Sequence, residues 1–370
     1  MTGGLFTGPV LLAAGGTGGH MFPAQALAEE LRRRDHEVVL ITDARGKRYT
    51  DNFPAQTIIE IPAANPSARG AASKLNAALK LSSGLMRSLQ EIRGRKPIAA
   101  IGFGGYPSLP AMQGARLLKT PYGLHEQNSQ LGRANRFLAK NAYVLAHGFP
   151  LLNGVPPGLK TQRREVGNPV RDAVREHAGA PFTAPASGEE FRLLITGGSQ
   201  GASVFSDVPV QAIAALPNHL RGALRVVHQV RENDLESVNT AYQQAGISAE
   251  IAPFFTDLPA KIAQSHLIIA RSGASTVTEI ATIGRPCVFV PLGIAMDDHQ
   301  TMNARVLSEA DAAIILPENK FTPSALHDCL QHLLTNPAQV ARMAQNTSGR
   351  VKTAAASEMA DLVEEMVERA

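Results

Sequence analysis

The sequence predicts an α/β protein with two Rossmann-like domains, each built on a parallel β-sheet. At 370 residues the chain is long for a single hydrophobic core. Short apolar runs alternate with stretches of helical periodicity along nearly the whole chain, which is typical of repeated strand–helix units. The segment LLAAGGTGGH at 11–20 returns as LLITGGSQGA at 193–202. Each half therefore opens with a strand, paired glycines and a helix.

The predicted strands follow the apolar runs in order. They are Val10–Ala14, Val38–Thr42, Thr57–Ile61, Ile98–Ile101, Tyr122–His125 and Ala142–Ala146 in the first half, and Phe191–Ile195, Arg225–Gln229, Ala249–Ala252, Leu267–Ala270, Cys287–Pro291 and Ala313–Leu316 in the second. We expect Pro23 near the first position of the first helix, where its missing N–H is harmless. The predicted domains are 1–167 and 168–350, facing across a cleft, and a C-terminal helix at about 351–370 can pack back on the first.

The charge is unevenly divided between the two halves. Residues 1–165 carry 21 Lys and Arg against 10 Asp and Glu, whereas residues 166–370 carry 15 against 22. The basic half is expected to favour an anionic partner, although uneven solvation of two surfaces would give the same numbers. No apolar run is long enough for a membrane span or an export signal. Cys287 and Cys329 indicate neither a disulfide framework nor a metal cluster, as in a reduced cytosolic protein.

The first glycine segment allows more than one interpretation. Backbone N–H groups at the start of a helix can bind a diphosphate, yet glycines also serve tight turns. The segment lacks the Gly-Lys-Ser/Thr ending of a P-loop. A dinucleotide site is the alternative, because Gly16-x-Gly18 begins correctly and Asp43 stands where a ribose-binding acid would stand. Met21, however, occupies the position of the third glycine.

Two further polar segments follow strands of the first half. These are GFGGYPS at 102–108 and LHEQN at 124–128. Because the carboxyl ends of parallel strands meet at one edge of a sheet, we expect both segments to border the same crevice as the first glycine loop.

Seven segments in order, spread over nearly the whole chain, resemble the MurG-type glycosyltransferases. They are GGTGGH, GFGGYPS, LHEQN, VGNPVR, TGGSQGA, RSGASTVTE and DHQTMNA. The resemblance implies a GT-B fold that transfers N-acetylglucosamine from UDP-GlcNAc to an undecaprenyl-diphosphate-linked muramyl-pentapeptide, a step of peptidoglycan synthesis. It also implies a peripheral protein at the cytoplasmic face of the bacterial inner membrane, with the donor mainly on the second domain and the lipid acceptor on the first.

The resemblance further implies particular site residues. Glu279 would bind the ribose hydroxyls, Arg171 the diphosphate region, Ser199 a phosphate or the sugar, and the backbone at Phe255 the uracil. The remaining donor-binding residues would be Thr17, Gly18, Gly19, Asn128, Ala274, Ser275, Thr276, Val277 and Thr278, with either His299 or Gln300 reading the sugar, and the acceptor would meet Gly104, Gly105 and Tyr106. Thr276 and Glu279 also have the spacing of a capping box, a purely structural helix start.

The implied reaction is a single inverting displacement with one general base. His20 is the leading base because a helix N-terminus disfavours the imidazolium, and Glu126 is the rival. His20 could instead hold the 102–108 loop by a hydrogen bond. We see no Asp-x-Asp beside a glycine loop, and Asp297 and Asp298 are adjacent, so no metal and no cofactor are expected. The competing functions are a glycolipid synthase that uses a diacylglycerol acceptor and a non-catalytic sugar-nucleotide sensor.

Residues 69–96 predict a helix with two apolar lines. Ala78, Leu81, Leu85, Leu89 and Ile92 are expected to pack on the core, which leaves Leu75, Leu79 and Met86 as a second line. Seven cations surround these lines, with Glu91 as the one acid: Arg69, Lys74, Lys80, Arg87, Arg93, Arg95 and Lys96. This pattern predicts reversible docking to an anionic membrane surface, while a solvated helix with a wide buried face is the alternative.

Overall fold

We describe a computed structural model of the chain, and the description covers residues 8–64, 71–198, 203–293 and 298–369. The chain folds into two compact units. Unit 1 comprises Met1–Asp172 and Lys352–Ala370, and unit 2 comprises Ala173–Val351. The C-terminal segment thus belongs to the unit in which the chain begins.

Unit 1 contains a parallel sheet that has seven strands within the described residues, in the order β3-β2-β1-β4-β5-β6-β7. The strands are β1 (Val10–Ala13), β2 (Val38–Thr42), β3 (Thr57–Glu60), β4 (Ala99–Gly102), β5 (Tyr122–Glu126), β6 (Val144–His147) and β7 (Gln162–Glu165). The helices are α1 (Gly18–Arg33), α2 (Ala71–Arg95), α3 (Gly105–Leu117), α4 (Arg133–Leu138) and α14 (Ala355–Glu368), and α5 (Asp172–Arg175) lies at the boundary between the units.

Helix α14 packs on α1 through apolar and ionic contacts. Its buried residues Met359, Leu362 and Val363 join the cluster that contains the buried face of α1. Arg34, just after α1, donates to Glu30 of α1 and to Asp361 and Glu364 of α14. These contacts make the C-terminal helix part of unit 1.

Helix α2 packs on α3 through small residues. A Cβ on Gly84 would lie against the carbonyl oxygen of Pro62 and 3.4 Å from Pro110, and one on Gly114 would lie 3.2 Å from Ile92. The predicted stripe is therefore wrong in one position: Ala78 is exposed and Ala77 is buried instead, because Gly84 and Ser88 carry the close contact and rotate the buried face. Among the described residues, no helix is long and apolar enough to cross a bilayer.

Unit 2 contains a second parallel sheet, with six strands in the described ranges, in the order β10-β9-β8-β11-β12-β13. The strands are β8 (Phe191–Thr196), β9 (Leu224–Gln229), β10 (Ser248–Ala252), β11 (Leu267–Ala270), β12 (Cys287–Phe289) and β13 (Ala313–Ile315). The helices are α6 (Ser203–Ala214), α7 (Asn218–Ala223), α8 (Leu235–Gln244), α9 (Leu258–Gln264), α10 (Ala274–Ile283), α11 (His299–Ser308), α12 (Pro323–Thr335) and α13 (Pro337–Asn346).

Every predicted strand is present, with ends displaced by at most two residues. The prediction omitted β7, whose sequence QRRE has no apolar alternation because the strand lies at the edge of the sheet as described and pairs with β6 on one side. The predicted position of Pro23 is wrong. Helix α1 begins five residues earlier, at Gly18, because the carbonyl of Thr17 already accepts the N–H groups of His20 and Met21. Pro23 consequently lies inside the helix.

Candidate active site

The polar segments of unit 1 follow adjacent strands. The first glycine loop follows β1, the Gly104–Gly105 turn follows β4, and Glu126 ends β5. The strand order β1-β4-β5 therefore brings these segments together at one edge of the sheet.

Asp43 fills part of the first glycine loop. Its Oδ1 atom accepts the N–H of Gly16 at 2.8 Å and that of Gly46 at 2.9 Å, and its Oδ2 lies 3.3 Å from Nε of Arg45. The carboxylate is buried and comes from the end of β2. Asp43 therefore braces the loop from within, so the N–H of Gly16 is not available to an anion. This bonding also argues against the dinucleotide alternative, which needs this carboxylate for a ribose.

His20 lies in the first turn of α1, against the Gly104–Gly105 turn. Both glycines have positive φ, +78° and +74°. A Cβ on Gly104 would lie 3.4 Å from Cδ2 of His20. A Cβ on Gly105 would lie 3.5 Å from Nδ1 of His20 and 2.9 Å from the carbonyl oxygen of Gly15. The turn thus favours glycine at both positions for its backbone conformation, and at Gly105 also because a Cβ would come too close to the carbonyl oxygen of Gly15.

Tyr106 follows this turn and is half-buried. The guanidinium carbon of Arg45 lies 5.7 Å from the centroid of its ring, a cation–π arrangement. Ser108 ties this turn to the end of β1. Its buried hydroxyl lies 2.8 Å from the carbonyl oxygen of Ala13 and 2.6 Å from that of Gly104.

Glu126 is buried and surrounded by N–H donors. Its Oε1 accepts the backbone N–H and the side-chain amide of Asn128, both at 3.1 Å. Its Oε2 accepts the N–H of Gly132 and the amide of Asn135, both at 2.9 Å. Burial raises the pKa of Glu126 above its usual value, whereas these four donors stabilise the carboxylate. The arrangement suits a residue that orients Asn128 better than one that accepts a substrate proton.

The neighbouring residues of LHEQN hold the segment that leaves unit 1. Nε2 of the buried His125 lies 2.9 Å from the carbonyl oxygen of Gly167, and Asn168 donates to the carbonyl of Gln127. Burial lowers the pKa of His125 to about 4, so this imidazole stays neutral. Arg171 follows in the same segment, and its guanidinium carbon lies 3.9 Å from the centroid of the Phe22 ring on α1.

In unit 2, the residues of RSGASTVTE follow β11 and form the start of α10. The helix begins at Ala274 after Gly273, so Thr276 is not its cap and the capping-box alternative is wrong. Gly273 adopts an extended conformation, φ −61° and ψ 148°, and starts the helix in place of a hydroxyl residue. Ser275 and Thr276 are half-buried at this N-terminus, while Ala274, Val277, Thr278 and Glu279 are buried.

An ion pair between the buried Arg271 and the half-buried Glu318 supports the segment that follows β12. Arg271 donates to Glu318 at 2.6 Å and to the carbonyl of Val290 at 3.1 Å, and Glu318 accepts the N–H of Gly293. Oε1 of Gln300 accepts the N–H of Leu292 at 3.0 Å. Gln300 therefore holds the backbone of Leu292 in place in the segment that follows β12. His299 begins α11.

The second glycine loop follows β8. Gly198 has φ +78°, and its N–H donates to the hydroxyl of Thr196 at 3.2 Å. Phe255 is buried and has Nζ of Lys261 4.9 Å from its ring centroid. Ser199 of the second glycine loop and Asp297 lie outside the described residues.

The sequence interpretation missed several residues that build these loops. Asn135 was missed because an amide within a short helix gives no pattern, although it is buried and reaches both His125 and Glu126. Ser108 lies in the segment GFGGYPS and Arg271 in RSGASTVTE, but the sequence pattern assigns a role to neither. The position of Ser108 beside a glycine turn could have indicated that its hydroxyl bonds to the backbone of that turn.

Residues 10–145 match the glycosyltransferase family 28 N-terminal domain, and residues 192–366 match the glycosyltransferase family 28 C-terminal domain. A protein of Caulobacter vibrioides is 44% identical over 96% of this chain and 98% of its own length. One of Methylobacterium nodulans is 46% identical over 96% of each. Both are named UDP-N-acetylglucosamine--N-acetylmuramyl-(pentapeptide) pyrophosphoryl-undecaprenol N-acetylglucosamine transferase.

Among solved structures, the crystal structure of MurG from Acinetobacter baumannii is similar to this chain. It has a TM-score of 0.75 and 31% identity over 97% of this chain and 100% of that one. The match spans both parallel-sheet units, as expected for the GT-B fold. With two domain matches in order and relatives above 40% identity over nearly the full length, the chain belongs to glycosyltransferase family 28.

Proposed function

We propose that the protein transfers N-acetylglucosamine from UDP-GlcNAc to the muramyl-pentapeptide of an undecaprenyl-diphosphate lipid. The observation that carries this proposal is the identity of 44–46% over 96% of the chain with transferases that bear this activity in their names. The site fits the chemistry, since a histidine, an ordered amide and glycine turns meet at one sheet edge of unit 1. The product would be the disaccharide lipid used in peptidoglycan synthesis.

We assign the donor mainly to unit 2. The N–H groups at the start of α10 lie at the positive end of the dipole of that helix, which suits the leaving diphosphate. Glu279 would accept the ribose hydroxyls, and the backbone at Phe255 would meet the uracil. Ser275, Thr276 and Gln300 are partly accessible at the same end of the sheet. Arg171 and Asn128 of unit 1 would complete the binding of UDP-GlcNAc.

We assign the acceptor and the base to unit 1. His20 would take the proton of the acceptor hydroxyl while the oxygen attacks the anomeric carbon and UDP departs, which inverts that centre. A Cβ on Gly104 would lie 3.4 Å from the imidazole, so the ring of His20 borders the turn to which we assign the acceptor. Both oxygens of Glu126 already accept two N–H groups each, so Glu126 would orient Asn128 rather than act as the base.

The decisive experiment offers radiolabelled UDP-GlcNAc to the full chain with two acceptors in parallel. One is a short-chain lipid-linked muramyl-pentapeptide, and the other is a diacylglycerol. Transfer to the muramyl lipid alone is the expected result. Transfer to diacylglycerol alone would establish the glycolipid synthase instead, and binding of UDP-GlcNAc without turnover on either acceptor would indicate a sensor.

We further propose that unit 1 reaches its lipid acceptor by peripheral docking through α2. Leu75, Leu79 and Met86 have 64%, 62% and 68% of their surface exposed, although they are large apolar side chains. Lys74, Lys80, Arg87, Arg93 and Arg95 are exposed on the same helix. Each cation near an anionic leaflet contributes about 1 kcal/mol. The cytoplasmic leaflet of the inner membrane is the surface that this proposal requires.

The docking proposal is tested with anionic and neutral vesicles. Replacing Lys74, Lys80 and Arg87 by glutamate should lower binding to anionic vesicles by about tenfold or more at low salt, since three charges are reversed. The affinity for UDP-GlcNAc should stay unchanged. Lys320, Arg342 and Arg350, three exposed cations of unit 2, provide a control with the same charge change. Equal vesicle binding by the two triple variants would place the membrane surface elsewhere.

A further inference from the structure

Three strand ends of unit 2 are joined by a chain of side-chain hydrogen bonds. Thr196 ends β8, Gln229 ends β9, and Pro253 follows β10, its neighbour on the other side. The hydroxyl of Thr196 lies 2.6 Å from Oε1 of Gln229, and Nε2 of Gln229 lies 3.2 Å from the carbonyl oxygen of Pro253. Thr196 is 2% exposed and Gln229 is 9% exposed, so the chain of bonds is shielded from water.

The direction of each hydrogen bond follows from the chemistry of the groups. The carbonyl of Pro253 can only accept, so the NH₂ group of Gln229 must face it. Oε1 of Gln229 then faces Thr196, whose hydroxyl donates its one proton to that oxygen. The lone pairs of the same hydroxyl accept the N–H of Gly198 at 3.2 Å. The donor and the acceptor of each hydrogen bond are therefore fixed. We call this chain of bonds, from Gly198 through Thr196 and Gln229 to Pro253, the relay.

The two ends of the relay lie in two different loops. Gly198 belongs to the second glycine loop, and Pro253 lies two residues before Phe255. Register pairs Thr196 with Gln229 and Gln229 with Ala252, so the side-chain bonds cross three adjacent strands at their carboxyl ends. A change at Gln229 would release both loops at once, because buried polar groups must find partners.

We propose that Gln229 is a positioning residue for donor binding: it sets the spacing between Gly198, at the end of β8, and Pro253, which leads to the loop that meets the uracil. The ligand class is a uridine diphosphate, so this inference rests on the proposed function. Gln229 would act through Gly198 and Pro253 without touching the nucleotide, and it would set donor affinity rather than the chemical step.

Two substitutions at Gln229 test the hydrogen bonds in different ways: one removes them, and the other makes one of them depend on pH. Gln229→Met removes both hydrogen bonds and should raise the Kd for UDP about tenfold at pH 8 and at pH 5, as expected for losing a buried hydrogen bond. Gln229→Glu should raise it at least as much at pH 8, because a carboxylate oxygen then faces the carbonyl of Pro253. At pH 5 the introduced carboxyl group becomes protonated and can donate to that carbonyl, so most of the affinity should return.

Calorimetry of UDP binding to the full chain measures each variant relative to the wild-type protein at the same pH, which cancels the titration of UDP itself. His228, the adjacent titratable residue, is bonded to Tyr242, and burial lowers its pKa to about 4, so it stays neutral across this range. Gln243→Glu makes the same chemical change at an exposed position of α8 and serves as the matched control. Thermal melting shows that each variant is folded.

The outcomes separate this inference from the proposed function. If the wild-type protein binds UDP and Gln229→Met binds it equally well, the positioning role is refuted and the proposed function stands. Loss in Gln229→Glu without recovery at pH 5 also refutes it. A wild-type protein that binds no UDP refutes the proposed function and this inference with it. If the Gln229 variants do not fold, Thr196→Val and Thr196→Ser decide: only the variant that keeps the hydroxyl should retain affinity.

Discussion

The two glycine loops share a sequence pattern but have different hydrogen-bond partners. In unit 1 the N–H of Gly16 donates to the buried carboxylate of Asp43, which lies 27 residues away. In unit 2 the N–H of Gly198 donates to the neutral hydroxyl of Thr196, two residues away. Ala14 occupies the position in unit 1 that Thr196 occupies in the repeated segment, and it has no polar side chain.

This difference predicts different chemistry for two loops that share a sequence pattern. A buried carboxylate within the first loop opposes the approach of a second anion, since like charges repel strongly where water is excluded. In the described part of the second loop, the N–H of Gly198 is braced by a neutral hydroxyl instead. We therefore expect unit 1 to present a base to a hydroxyl and unit 2 to bind the diphosphate of the nucleotide.

The largest expected effect comes from His20. His20→Ala should lower turnover by about 10²–10⁴-fold, the contribution of a general base, while the Kd for UDP, which unit 2 would bind, stays unchanged. Steady-state kinetics with the muramyl lipid and calorimetry with UDP check the two parts. Glu126→Ala is the comparison variant: a loss of more than a hundredfold there, with less than tenfold for His20→Ala, would make Glu126 the base.

Glu279 should give the opposite pattern. Glu279→Gln weakens charge-assisted hydrogen bonds to the ribose and should raise the Kd for UDP by about tenfold or more, with a smaller change in turnover at saturating donor. 2′-Deoxy-UDP is the matched ligand, because it lacks one of the two ribose hydroxyls that Glu279 would bind. If the wild-type protein and Glu279→Gln discriminate equally between UDP and its 2′-deoxy form, Glu279 does not read that hydroxyl.

The two loop braces should differ in their effect on stability. Asp43→Ala removes the acceptor of two buried N–H groups and should lower the free energy of unfolding by about 2–4 kcal/mol, whereas Thr196→Val should lower it by about 1 kcal/mol. Asp43→Asn should fall between them, since its amide oxygen can still accept both N–H groups. Urea denaturation followed by circular dichroism ranks the three variants. Equal losses for Asp43→Ala and Thr196→Val would mean that the buried carboxylate braces its loop no more strongly than the neutral hydroxyl braces the other.

The smallest effect is expected from removing metal ions. The helix N-terminus of α10 and Arg171 would stabilise the departing diphosphate, so turnover in excess EDTA should match that in untreated buffer. A full loss of turnover that magnesium restores would contradict this assignment and direct attention to the acidic pair Asp297 and Asp298.

Much of the architecture followed from the sequence because it depends on local patterns. Apolar runs marked each strand except β7, whose polar edge sequence carries no apolar pattern. The repeated glycine segments marked where each unit begins a helix after its first strand. The sequence also predicted that the polar residues that follow the strands lie together, because the carboxyl ends of parallel strands meet at one edge of the sheet. These features require only the residues themselves and the geometry of β–α units.

The tertiary structure decided which polar group each of those residues contacts. Asp43 reaches Gly16 across 27 positions, Thr196 reaches Gln229 across 33, and Gln229 reaches Pro253 across 24. It also placed Ala77 rather than Ala78 in the buried face of α2, because Gly84 sets how closely that helix packs. Hydrogen bonds and close packing depend on strand register and on distances of a few ångströms between distant segments. A linear pattern carries the residue types but not those distances.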